Sequence, residues 1–292
     1  TRLTLSPAGD ELTLDFAKTL LVNEQLGQDD VPDYLAISFS STDYVGHLFG
    51  ASSLETEDNI ARLDRTLADL FSFIDKEVGL KNTLIVLSAD HGQPEVPGHL
   101  HERGIDKAHY FDTKTLDKTP AIMALKKQFG IGEELIEAFF QPYLYLNHDL
   151  IRDKRLDQAE VEKAVAEELM KFDGVAYAVS STALRTDNLP NTLMTHSILH
   201  NFHPKRSGDI YLVFEPNVFI NDFDGLIVAS THGSPWRYDT FVPVIFSGAG
   251  LPAVTVGRTV TPYDIAPTLA AYLGVKPPSG AIGMPLQEVL TQ

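Results

Sequence analysis

Two short apolar runs, Tyr34-Leu-Ala-Ile-Ser-Phe-Ser40 and Thr83-Leu-Ile-Val-Leu-Ser88, bracket a long amphipathic stretch, and this order admits few architectures. Each run is short and rich in branched or aromatic residues, which predicts buried strands of the kind found in parallel sheets. From Glu57 to Lys76, Ile60, Leu63, Leu67, Leu70, Phe71 and Ile74 recur at three- and four-residue steps. That spacing predicts a helix with one apolar face, and Glu55, Glu57 and Asp58 suit its positive N-terminal end. Gly79 ends it. Strand, helix, strand is a βαβ unit. Near the other end of the chain, Phe241 to Phe246 reads as a strand and Pro262 to Leu273 as a helix with Pro at its start and Gly274 after it.

Both ends are therefore expected to build one α/β layer, a largely parallel sheet flanked by helices. Between them the pattern changes. Strands Tyr143 to Asn147, Val175 to Ser180 and Asp209 to Glu215 mix with helices Asp157 to Phe172 and Asn191 to Asn201, which predicts an α+β insertion. The expected division is residues 1–106 with 222–292 as the α/β part and 107–221 as the insertion. A further helix is expected from Leu14 to Leu26.

Charge narrows the function. Asp and Glu outnumber Lys and Arg by 40 to 23, a formal net charge of -17. Such a surface repels polyanions, so nucleic acid binding through a basic face is not expected. A phosphate ester could still bind if a divalent cation supplied local positive charge. With no cysteine, any zinc here must use His and carboxylate, and thiol nucleophiles are excluded. No apolar run reaches membrane-spanning length. The first residues carry no signal peptide pattern and the chain does not start with Met, so it reads as a mature or truncated piece.

Asp43 and His47 stand four apart just after the first expected strand, where open α/β sheets place their ligands. On a helical turn both side chains face one point. Taken alone the pair is weak evidence, because loops are rich in Asp and a surface His is common. Thr83 to Ser88 then runs into Ala89-Asp90-His91-Gly92, a carboxylate and an imidazole at a second strand's end, though an Asx turn with a chance His reads the same way. His232 in Ser230-Thr-His-Gly-Ser-Pro235 precedes the last strand. Oxygen and imidazole donors suit zinc, and catalytic zinc keeps three protein ligands and an open position. His99 and His101 are expected in a solvated, irregular loop, and Trp236 and Tyr238 either wall the site or pack under the sheet.

The strings Ile37-Ser-Phe-Ser-Ser-Thr-Asp-Tyr-Val-Gly-His47, Leu87-Ser-Ala-Asp-His-Gly92 and Thr231-His-Gly-Ser-Pro-Trp236, with Val260 to Gly283, resemble the metal motifs of the alkaline phosphatase superfamily, nearest to its bacterial monomeric phosphatases with a Thr nucleophile. The resemblance implies that Asp43, His47 and His232 hold a first zinc, while Asp90 and His91 supply half the ligands of a second. It implies zinc-dependent hydrolysis of small phosphate monoesters through a phospho-enzyme, and a periplasmic or secreted enzyme. In that family a further Asp and the nucleophile come from an N-terminal strand and helix. No such strand is read among the 42 residues before Asp43, so no catalytic nucleophile is expected within this chain and a missing N-terminal segment is expected to carry it. Three alternatives remain: a phosphodiesterase or nucleotide pyrophosphatase, a non-catalytic metal-binding fragment, and, more remotely, a phosphomutase relative.

Overall fold

In the computed structural model, which describes residues 2–186, 189–223 and 225–290, the mixed α/β chain divides into two units, Thr1–Gly92 with Phe241–Gln292 and Gln93–Thr240. The first begins with the helix Pro7–Asn23, which starts earlier than Leu14 because Pro7 in its first turn is pre-set for helical φ and lacks an amide that would go unpaired. Asp10, Leu14, Ala17 and Leu21 form its buried face. Gly9 is needed for space: a Cβ there would stand 2.3 Å from Ser41 Oγ, so a larger residue would push away the next helix, Ser41–Phe49.

The long helix, Leu54–Glu77, opens on Ser53, whose hydroxyl accepts from the Thr56 amide at 3.1 Å. The predicted apolar stripe lies largely on its inner side, with Leu70 buried and Leu63, Leu67, Phe71 and Ile74 half-buried, but polar residues share that side. Thr56, Asn59, Thr66 and Leu70 are buried, while Ile60 is 52% exposed. Polar groups occupy the inner face because they find partners there: Thr56 Oγ1 donates to the Gly50 carbonyl and Asn59 Nδ2 to Thr42 Oγ1, both at 2.8 Å.

The strand predicted at Thr83–Ser88 forms at Leu84–Ser88, and that predicted at Phe241–Phe246 forms at Val244–Gly248. They pair with each other and run antiparallel, from Leu84 opposite Gly248 to Ser88 opposite Val244. The α/β class therefore stands, but the parallel neighbour expected in this layer is absent among the described residues. Tyr34–Ser40 is not a strand here. Its burial keeps the two-residue period, with Leu35, Ile37 and Phe39 half-buried between exposed neighbours. No strand among the described residues offers it a ladder, and without ladder bonds an alternating sequence is not a β-strand.

The second unit is built on a four-stranded antiparallel sheet, in the order Ile136–Phe140, Tyr143–Leu146, Ile210–Phe214 and Val175–Ser180. Every residue of the Ile210–Phe214 strand is buried. The helix Gln158–Leu169, capped by Asp157 through the Glu160 amide at 3.1 Å, buries Val161, Val165 and Leu169 in the core on one face of the sheet. Leu193–Asn201 contributes Ile198 to a second cluster with Tyr143, Tyr211 and Val213. The second unit also holds a buried ion pair. Asp117 accepts from Lys126 Nζ at 2.5 Å and from the amides of Leu135 and Ile136 at 2.9 Å each. Among the described residues no helix is long and apolar enough to cross a membrane.

Candidate metal centre

The Ser41–Phe49 helix carries Asp43 and His47 on one face, and neighbouring groups fix its start. Asp10, buried on the first helix, accepts from the Ser41 amide at 3.1 Å and so stands in for a cap. Burial raises the pKa of this carboxyl, and the hydrogen bonds from Ser41 oppose that shift. Asn59 grips Thr42 from the other side. Neither Asp10 nor Asn59 is flagged by any sequence motif, because each acts through a contact distant in the chain.

The second motif arrives on the Leu84–Ser88 strand, whose end is tied to its partner by Ser88 Oγ donating to the Pro243 carbonyl at 2.9 Å. His91 Nδ1 lies 2.9 Å from the Gly92 carbonyl. With Nδ1 as the donor, the neutral ring presents a lone pair at Nε2, the arrangement a metal ligand needs. That Nε2 is 3.5 Å from Asp43 Oδ1, and His47 Nε2 is 3.4 Å from the same oxygen. Asp90 Oδ1 is 3.6 Å from His91 Nε2 and accepts the His91 amide at 3.1 Å, with its side chain 89% exposed.

These distances decide between two readings. A charge-assisted hydrogen bond between imidazolium and carboxylate would close to about 2.7–2.9 Å. Donors sharing one tetrahedral zinc, with bonds of about 2.0–2.2 Å, stand roughly 3.3–3.5 Å apart. Asp43 meets each of His47 and His91 at the second spacing, so these carboxylate and imidazole donors suit divalent cations.

The structure thus brings Asp43, His47 and His91 together, with Asp90 beside them. His232 belongs to the second unit. Its carbonyl accepts from Gln141 Nε2 at 2.6 Å, and the following Gly233 has φ +104. On either side, Ser230 Oγ donates to the Pro94 carbonyl at 2.7 Å, and Ser234 gives its amide and hydroxyl to Asp239 Oδ2 at 2.8 and 2.6 Å. Trp236 donates from Nε1 to the Phe214 carbonyl at 2.9 Å, and Tyr238 Oη accepts the Asn217 amide at 3.1 Å. Those contacts anchor the segment to the sheet and explain both aromatics as packing.

The expected loop around His99 and His101 is instead a short helix, Pro97–Glu102, started by Pro97 after the extended Val96. His99 lies between Glu95 and Glu102, at 3.5 and 3.8 Å, reached by opposite ring nitrogens. His101 Nε2 sits 2.6 Å from the Ala108 carbonyl. Neither geometry gathers ligands around one point. His148 pairs with the buried Asp209 at 2.8 Å and His196 with Asn191 at 2.6 Å.

The family described as type I phosphodiesterase / nucleotide pyrophosphatase matches residues 7–235. The chain is 38% identical over 289 residues to a protein of Myroides odoratus named calcium-transporting ATPase, covering 98% of this chain and 52% of that one. It is 34% identical over 294 residues to alkaline phosphatase PafA of Elizabethkingia meningoseptica, covering 98% and 51%. The crystal structure of wild-type PafA superposes with a TM-score of 0.87 at 33% identity, over 98% of this chain and 53% of that one. The chain thus spans about half the length of the curated relatives it matches.

Proposed function

Because the chain belongs to the type I phosphodiesterase / nucleotide pyrophosphatase family, within the alkaline phosphatase superfamily, we propose that it is the metal-binding part of a zinc-dependent enzyme that hydrolyses phosphate monoesters through a phospho-enzyme. Asp43, His47 and His232 are the ligands assigned to a first ion, and Asp90 and His91 supply two ligands of a second. One observation supports this reading: Asp43 Oδ1 stands 3.4 Å from His47 Nε2, the spacing of two donors on one ion, and 3.5 Å from His91 Nε2, the imidazole assigned to the neighbouring ion. Two divalent cations, when bound, supply Lewis-acid stabilisation to the attacking and leaving oxygens of an in-line displacement. The residues of this chain do the holding. The His91 contact with the Gly92 carbonyl orients that ring, and the Asp10 bond to the Ser41 amide fixes the turn from which Asp43 projects.

Cations at this site also answer the charge problem, since a chain of formal charge -17 would otherwise repel a phosphate ester. The attacking hydroxyl and the remaining ligands of the second ion are assigned to a part of the longer protein outside these 292 residues, and the location to the periplasm or the cell exterior. Phosphodiester hydrolysis is the rival, supported by the family's description. The monoester reading is preferred because the chain is 34% identical to a protein named alkaline phosphatase.

Initial rates of the full-length, metal-saturated protein on an aryl phosphate monoester and the matching diester separate the readings. The monoester should turn over faster. A faster diester would favour the rival, and silence toward both with metal bound would leave a metal-binding module.

A further inference from the structure

We propose that Gln141 is a positioning residue for His232, fixing the peptide from which that imidazole is aimed at its metal. The inference rests on the assignment of His232 as a ligand. Gln141 and Pro142 form the turn between the strands Ile136–Phe140 and Tyr143–Leu146, where Phe140 lies opposite Tyr143. The Leu212 amide donates to the Pro142 carbonyl at 2.9 Å, so the turn is tied to the central strand of the sheet. From that base Gln141 Nε2 donates to the His232 carbonyl at 2.6 Å. It acts on the His232 peptide itself, between the bonds that hold Ser230 and Ser234.

Two features separate this from ordinary loop packing. Gly233, at φ +104, lies against the same amide: a Cβ there would come within 3.0 Å of Gln141 Nε2. At this positive φ a side chain is strained, and its Cβ would crowd the Gln141 amide. Moreover, Gln141 Oε1 is buried with no partner among the described residues. An unsatisfied buried acceptor lowers stability, so this cost offsets part of what the Nε2 bond contributes to folding.

That combination predicts unequal effects on two measurable quantities. Gln141→Met keeps the length, loses the donor and removes the orphaned acceptor. In the 292-residue chain it should weaken zinc binding about 10- to 100-fold, as loss of a group orienting a ligand does. Its metal-free thermal midpoint should change little. Gln141→Glu places a carboxylate against the carbonyl and should weaken zinc at least as much. Zinc affinity is read by chelator competition, and ligand geometry by the visible spectrum of the cobalt-substituted chain, which should change in both variants. Unchanged affinity in both, or a fall in affinity matched by a fall in the metal-free midpoint, would overturn the proposal. His232→Ala, run alongside, tests the underlying assignment: if it keeps full zinc affinity, the ligand reading fails, independently of Gln141.

Discussion

Asp43→Ala in the full-length protein should lower kcat/KM for a phosphate monoester by about a thousandfold or more, equivalent to roughly 4 kcal/mol of lost transition-state stabilisation. Its carboxylate oxygen is the point to which His47 and His91 both reach, at 3.4 and 3.5 Å. Removing it takes from the first ion its one carboxylate ligand and the negative charge that offsets the cation. The fold should hardly notice. Asp43 is only half-buried, and its helix is secured instead by Asp10 at Ser41 and by Asn59 at Thr42. His47→Ala should behave the same way. Initial rates at saturating zinc, beside an unfolding curve, check both halves of the expectation. A loss below tenfold with the chain folded would remove Asp43 from the site.

The largest effect on stability is expected within the second unit, at Asp117. Both of its oxygens are used, one by Lys126 Nζ and the other by the amides of Leu135 and Ile136. Asp117 and Lys126 are both buried. Asp117→Ala leaves an ammonium group and two backbone donors without this acceptor in a region closed to water, which should destabilise the chain by about 3–5 kcal/mol. Adding Lys126→Met should recover a large part of that, because the buried charge is then gone and the methionine fills the same space. Urea unfolding midpoints of the single and double variants test this, and a double variant no better than Asp117→Ala would mean that the two amides carry the effect.

What could be read from the sequence divides by physical range. Val175–Ser180 forms at its predicted bounds because its signal is local: a run of branched and aromatic residues between turn formers. The Asp43 and His47 spacing was equally readable, since four residues on a helix meet on one face. Tyr34–Ser40 carries the same local signal, yet a strand also needs a neighbour, and pairing is not written in the run itself. On Leu54–Glu77 the apolar stripe was legible except at Ile60, whereas the buried Thr56 and Asn59 were not, because their hydroxyl and amide groups find partners outside the helix, at Gly50 and Thr42. The start of the helix Pro120–Gln128 is a local cap signal, with the Thr119 hydroxyl accepting from the Ile122 amide and Pro120 in the first turn. For Gln141 no sequence signal exists, since its contact with His232 spans 91 positions of chain.

Elemental analysis of the purified 292-residue chain after zinc loading and removal of free metal is the most direct test of the proposed centre. About one zinc per chain is expected from a site with three protein ligands, falling to near none in both His47→Ala and His232→Ala. Undiminished zinc in both variants, with the chains still folded, would contradict it.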